Sequence, residues 1–253
     1  IIGIVCDGYG YGINGESWGG EILHCTEGGF QRVSSLQDQP LIGGDLATRY
    51  PHRMVAGILG GEVNVEDWLS SYKGQLPQGD REARMIASVA ESGHVQQTTT
   101  SCGRVLDAVS AILGLCFERT YQGEPALKLE SLAIGGHDVL KMDPETSKGF
   151  LNTSCIVRAV FDGRRTISPK DLAYSAQSYL ARGLAELAVN AAQKEDVEAI
   201  GFSGGVAYNH HITSVMRDVV TENDIKFLVH TKLPAGDGGI SFGQAIAVAE
   251  QSS

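Results

Sequence analysis

The sequence has no apolar run long enough to cross a membrane and no signal-peptide pattern, so neither a spanning segment nor a secretory leader is expected. Cysteine is sparse: Cys6, Cys25, Cys102, Cys116 and Cys155 are odd in number, scattered, and form no C-x-x-C pair. That spacing argues against a structural zinc finger and against a disulfide framework, and it favours a reducing, cytoplasmic setting. Positive charge is in deficit, with 20 Lys and Arg against 30 Asp and Glu and a net charge of −10. No nucleic-acid-binding surface is therefore expected. A nucleotide is still allowed, because a local glycine cradle binds phosphate inside an acidic protein. Linkers and low-complexity segments are also missing, and 253 residues suffice for one large domain or two lobes. The first residue is Ile rather than Met, and Ile1–Cys6 already reads as the inside of a strand. A fragment lacking what precedes that strand is expected.

Glycine, by contrast, is abundant, with 32 residues clustered in turns without a repeat period. The stretch 197–202 reads as a short buried strand, Ser203-Gly204-Gly205 as a tight turn, and 206–220 as a helix with Val206, Ile212, Val215, Met216 and Val219 on its apolar face. A strand, a glycine turn and a helix can hold an anion or a nucleotide: the backbone comes close, and free N–H groups of the first helical turn point at the ligand. Asn209 is expected one turn into that helix, its amide within reach of a base or ribose. A glycine turn that merely connects two elements fits the same residues as well.

Two further segments share this character. Asp7-Gly8-Tyr9-Gly10-Tyr11-Gly12 is expected to end the first strand, with strands at 17–25 and 30–36 completing a meander. Gly236-Asp237-Gly238-Gly239 precedes a final helix at 240–249. In an open α/β sheet, ligands bind at the carboxyl ends of strands, so the three segments are expected to converge, with Asp7 and Asp237 facing one cleft. Two carboxylates can hold a hard cation, although Asp-Gly is also the commonest plain turn dipeptide. His210 and His211 point about 100° apart on a helix and should not share one metal. No Ser-His-Asp or Cys-His arrangement stands out.

Between these segments, helices are expected from Pro51 to about Leu59, at 80–92 with Met85, Ile86, Val89 and Ala90 inward, at 100–115 capped by Ser101, and from Ser168 to about Lys194. His52 reads as a surface or capping histidine. Residues 126–129, 154–161 and 225–230 read as strands. Gly103 and Asp107 interrupt the apolar stripe of the 100–115 helix, either through close packing and a solvated carboxylate or through a ligand. Cys102 and Cys116 read as small buried residues without a neighbouring base.

The segments Asp7-Gly8-Tyr9-Gly10-Tyr11-Gly12, Trp18-Gly19-Gly20-Glu21, Pro40 with Gly43-Gly44-Asp45, Arg53-Met54, Ser101-Cys102-Gly103-Arg104 with Asp107-Ala108, Tyr121 with Gly123, Ser203-Gly204-Gly205-Val206-Ala207 with Asn209, and Asp237-Gly238-Gly239-Ile240-Ser241 with Gly243-Gln244-Ala245 occur in that order. Together they resemble the C-terminal domain of the hydrogenase maturation carbamoyltransferases, the HypF family. That domain is similar to the enzyme of tRNA threonylcarbamoyladenosine synthesis, and both have the α/β actin-like ATPase (ASKHA) superfold. The resemblance covers essentially all of residues 1–253, read as one N-terminally truncated carbamoyltransferase domain lacking the start of the first lobe.

The resemblance implies an enzyme that uses ATP or carbamoyl-AMP. An upstream adenylate-forming domain would make carbamoyl adenylate. This domain would pass the carbamoyl group to the C-terminal cysteine of a partner maturation protein, on the way to the cyanide ligand of a nickel–iron hydrogenase. It implies Asp7 and Asp237 as ligands of a divalent metal (iron or zinc), and Gly8, Tyr9 and Gly10 as a phosphate-facing hairpin. Asp107 would be the ribose contact, Gly123 and Glu124 a nucleotide wall, and Gly204, Gly205 and Asn209 the adenosine cradle. The family's His-x-x-x-His ligands have no counterpart here, Tyr9 replaces a small Thr, and Gln122-Gly123-Glu124 inverts the usual order of Glu and Gln. Weak metal affinity and an incomplete reaction are expected of the chain alone. Transfer of a carbamoyl-type group to tRNA or a small molecule, and a non-catalytic nucleotide-binding scaffold, are the competing expectations.

Overall fold

The computed structural model describes residues 1–147 and 149–251. Alternating residues of the first strand build the centre: in β1 (Ile2–Tyr11), Ile2, Ile4 and Cys6 are fully buried on one face. β2 (Ser17–Thr26) and β3 (Gly29–Leu36) follow as an antiparallel meander, and β4 (Gln39–Pro40) pairs with β5 (Thr98–Thr99) at its side. Between β4 and β5 lie α1 (Leu46–Arg49), α2 (His52–Leu59), α3 (Val65–Ser70) and α4 (Asp80–Ser92). The chain continues through α5 (Cys102–Ile112), α6 (Glu124–Ala133), β6 (Thr146–Ser147), β7 (Phe150–Leu151), α7 (Ser154–Gly163) and α8 (Pro169–Lys194). It closes with β8 (Ala199–Ser203), α9 (His210–Glu222), β9 (Lys226–Val229) and α10 (Ile240–Gln251).

The sheet runs β6-β7-β3-β2-β1-β8-β9, with β8 parallel to both β1 and β9. The order reverses direction between β2 and β8, so the carboxyl ends of β1 and β8 open on the same side, where such sheets bind ligands. The long α8 packs across β1, β2, β3 and β8 and carries α6, α7 and α9 on its other sides. Leu172, Ala176, Tyr179, Leu180 and Leu184 are buried along it at helical spacing. No helix among the described residues is long and apolar enough to cross a membrane.

Several expectations are corrected. β1 does not stop at Asp7 but runs on to Tyr11, with a register shift between Cys6 and Gly10, so Asp7-Gly8 is a bulged strand rather than a hairpin turn. Residues 126–129 belong to α6, because Gly123 adopts a left-handed N-cap (φ +77°) with Pro125 just inside the helix. Residues 154–161 form α7, and the burial of Ile156, Val157, Val160 and Phe161 follows the helical rather than the alternating period. Met85 is 46% exposed, whereas Ile86 of the same helix is buried. His52 is fully buried, with its Nδ1 3.2 Å from the Phe117 carbonyl and its ring stacked on Phe117. The expected 206–220 helix is two pieces, a 3₁₀ turn at Gly205–Tyr208 and then α9.

Candidate functional site

The carboxyl end of β1 is pinned from two directions by backbone-to-backbone contacts. After β8, Gly204 takes φ +96°, and a Cβ there would lie 2.1 Å from the Cys6 carbonyl oxygen. No side chain fits, and the backbone conformation favours glycine as well. Gly204 N–H donates to the Ala235 carbonyl at 2.9 Å, which draws the 236–239 segment beside the same strand end. From the other direction, the first turn of α5 rests on β1: a Cβ on Gly103 would lie 2.6 Å from Gly8 Cα. Ser101 caps α5 by accepting from Arg104 N–H at 3.1 Å, and its hydroxyl lies 2.7 Å from the Asp7 carbonyl and 3.0 Å from that of Gly8.

The result is one cleft of about 1230 Å³, in which all three glycine-flanked segments meet: Asp7, Gly8 and Tyr9 from β1, Gly205, Val206, Tyr208 and Asn209 after β8, and Gly236 with Asp237. The fourth wall is the 119–123 loop and α6, and Gln122 Nε2 reaches Asp237 Oδ2 at 3.4 Å. Arg104 and Asp107, on one face of α5, also line it. Their side chains form a buried pair, Nη2 to Oδ2 at 2.7 Å. Arg104 Nε has no acceptor among the described residues. Burial pushes the Asp107 carboxyl up to about 6, against the opposing pull of Arg104 and Arg119. Burial likewise lowers the Arg104 guanidinium from its ordinary value, with Asp107 acting in the other direction.

Each expected site residue can now be placed. Asp7, Gly8, Tyr9, Asp107, Gly123, Gly205, Asn209 and Asp237 line the cleft, whereas Gly10, Gly204 and Glu124 do not. Gly10 pairs with Trp18 across β1 and β2. Glu124 is buried, accepts from Thr120 N–H at 2.6 Å and from its hydroxyl at 2.9 Å, and pairs with Lys128 at 2.7 Å. Lys128 first, and then the Thr120 N–H, hold its carboxyl down to about 2, so it fastens the loop rather than facing a ligand. Asn209 is the N-cap of α9 rather than a residue one turn inside it. Its Oδ1 accepts from Ile212 N–H at 2.9 Å, and its Nδ2 donates to Gln177 Oε1 at 2.7 Å. Both ends of the amide are therefore engaged, a consequence of the preference of Asn for the cap position.

Asp7 and Asp237 share the cleft as expected, but Asp7 Oδ1 already accepts from Gly8 N–H at 2.7 Å. No group of three or more His, Cys, Asp or Glu side chains converges as a metal centre among the described residues. Two carboxylates are too few donors for a divalent cation site by themselves. His211 hydrogen-bonds Ser178 Oγ at 2.8 Å and packs on Tyr174, so it is held away from the cleft. Arg104, Arg119, Gln122 and Tyr208 line the cleft without having been expected as site residues. Arg104 carried a readable signal: a charged residue directly after a helical glycine, at the start of an otherwise apolar helix.

Comparison with known proteins agrees with this geometry. The chain is 39% identical over 244 residues to the probable carbamoyltransferase HypF of Methanocaldococcus jannaschii, covering 95% of this chain and 32% of that protein. The crystal structure of T. kodakarensis HypF superposes with a TM-score of 0.89 at 36% identity, covering 99% of this chain and 34% of that one. A full-length HypF solved in a phosphate- and nucleotide-bound form shares the fold, with a TM-score of 0.87 at 24% identity over 99% of this chain and 39% of that one. The chain thus spans about a third of the length of these relatives, and the expected α/β actin-like fold is the one they share. Residues 3–244 match the family described as the carbamoyltransferase Kae1-like domain, second subdomain, and the chain belongs to that family.

Proposed function

We propose that this chain supplies one wall of a carbamoyl-transfer site, holding the nucleotide part of carbamoyl adenylate while the carbamoyl group passes to the C-terminal cysteine thiolate of a hydrogenase maturation partner. The observation that carries the reading is the convergence of three glycine-flanked segments on one cleft with a buried Arg104–Asp107 pair in its floor. Such a cleft brings backbone N–H groups close to a phosphate and offers a desolvated carboxylate, Asp107, to sugar hydroxyls. Family membership and the nucleotide-bound HypF with the same fold support the assignment. These relatives are about three times longer, and the proposal assigns the adenylate-forming step to the part of them that this chain does not match. If a metal takes part, Asp7 and Asp237 supply two of its ligands and the others come from outside this chain.

Calorimetric titration of ATP into the chain, with Asp107→Ala alongside, tests the reading. Micromolar binding that weakens tenfold or more in the variant supports it. A wild type that binds no ATP refutes the nucleotide wall as it stands. Carbamoyl transfer to a thiol peptide, assayed with the upstream portion restored, then tests the reaction itself.

A further inference from the structure

We infer that Arg104 is the phosphate-binding residue of the cleft, the group that makes it a site for a nucleoside 5′-phosphate rather than a nucleoside. The inference rests on the nucleotide reading above and adds a residue with a specific task. Four observations carry it. Arg104 is only 5% exposed yet lines the cleft, and its Nε has no acceptor among the described residues. A buried guanidinium donor left without a partner is costly unless a ligand supplies one. Its Nη2 lies 3.5 Å from where a Cβ of Gly8 would stand, over the strand end whose backbone comes closest to a ligand. Its present partner, Asp107, lies three residues on in the same helix, with Oδ2 2.7 Å from Nη2, so Nε is the donor left over.

The floor therefore offers an unmet donor on Arg104 beside the buried carboxylate of Asp107. A ribose 5′-phosphate complements both: its hydroxyls donate to Asp107 and its phosphate oxygens accept from Arg104. The need for a dedicated cation follows from the rest of the cleft. Asp7, Asp45, Asp107, Glu130 and Asp237 line it in a chain of net charge −10. Of the other arginines on the wall, Arg49 is tied to Glu118 at 2.8 Å, and Arg119 stands on the 119–123 loop, whereas Arg104 alone comes within 4 Å of a Gly8 Cβ.

The same contact serves the proposed transfer. The acceptor thiolate attacks the carbamoyl carbon, the S–C bond forms and the C–O bond to the phosphate breaks. The electron pair stays on the phosphate oxygen of the departing AMP, which gains one negative charge. A guanidinium already placed at that phosphate stabilises the charge as it appears.

The test is calorimetric titration of adenosine and of AMP, in parallel, into wild type, Arg104→Gln and Arg104→Lys, with thermal melts to confirm folding. Wild type is expected to bind AMP at least tenfold more tightly than adenosine. Arg104→Gln should bring AMP to within threefold of adenosine, and Arg104→Lys should keep most of the preference. If Arg104→Gln keeps the AMP preference, or weakens adenosine as much as AMP, the residue is structural and the inference falls. If wild type binds both ligands equally, the inference falls while the nucleotide reading stands, without recourse to any variant. If wild type binds neither, the nucleotide reading falls and takes the inference with it.

Discussion

Replacing Gly103 by Ala puts two physical rules in opposition at one position. A helical glycine exchanged for alanine gains up to about 1 kcal/mol of helix propensity, and less at the second residue of a helix, where Gly103 stands in α5. In this structure, however, the new methyl would sit 2.6 Å from Gly8 Cα, 3.1 Å from Gly8 N and 3.2 Å from the Asp7 carbonyl oxygen. Carbon atoms rest at about 3.5–4.0 Å, so α5 and β1 must part by about 1 Å, and no side-chain rotation relieves a clash with backbone. Overpacking of this kind costs about 1–3 kcal/mol. Parting also stretches the contacts of the Ser101 hydroxyl with the Asp7 and Gly8 carbonyls. Each lost hydrogen bond costs about 1 kcal/mol. The sum is a net destabilisation of about 1–4 kcal/mol by combining those terms.

Urea denaturation followed by circular dichroism reads this directly, with Gly74→Ala as the control, since a Cβ at Gly74 meets nothing within 4 Å. The midpoint should fall for Gly103→Ala and stay nearly still for the control. ATP binding should weaken as well, because the displaced atoms belong to the cleft wall. A Gly103→Ala protein as stable as wild type, with undiminished binding, would refute the argument that the close approach of α5 to Gly8 builds the site.

The remaining predictions concern stability. Glu82→Ala leaves Arg53, its partner at 2.5 Å, buried without an anion, and should cost about 3–5 kcal/mol in urea denaturation. Asn209→Ala removes both the cap of α9 and the bond to Gln177, and should cost about 1–3 kcal/mol by the same measurement. Burial lowers His52 from 6.5 to about 4, so as pH falls below 6.5 the unfolded chain takes up the proton first and stability is lost until about pH 4. The loss amounts to about 3 kcal/mol, and His52→Gln should flatten it relative to wild type. Asp107, raised to about 6, acts with the opposite sign, so the fold protonates first as pH falls and gains stability between about pH 6 and 4. Asp107→Asn should therefore be more acid-sensitive than wild type over that window, when the two are compared by denaturation at each pH.

The strongly periodic helices were legible in the sequence because their signals agreed: Ser101 at a cap and an apolar stripe for α5, and Pro169 at the first turn of α8. The strand-like readings at 126–129 and 154–161 failed for a common reason. Short segments with a few apolar residues satisfy the strand and helix templates alike, and tertiary burial decides between them. The convergence of the glycine segments followed from the rule for open sheets, and the cleft bears it out. The engagement of Asn209 and Glu124 was not legible, because their partners Gln177 and Thr120 are identified only by the fold. Arg104 was quoted within a motif but given no task, since its burial and its unmet Nε exist only once α5 lies on β1.

These positions divide the labour of the site in a way that makes it separable by mutation. Gly204 against Cys6 and Gly103 against Gly8 set where the walls stand, and they do so by having no side chain. On the proposed reading Arg104 and Asp107 set what the cleft can hold, and both are buried. Desolvation makes the pair chemically useful, because a buried charge binds an opposite partner more strongly than an exposed one. It also makes the pair expensive, since each group departs from its ordinary protonation energy. A glycine substitution should therefore weaken adenosine and AMP together by moving a wall, whereas Arg104→Gln should change their ratio. Measured side by side, the two kinds of variant distinguish the shape of the site from its charge.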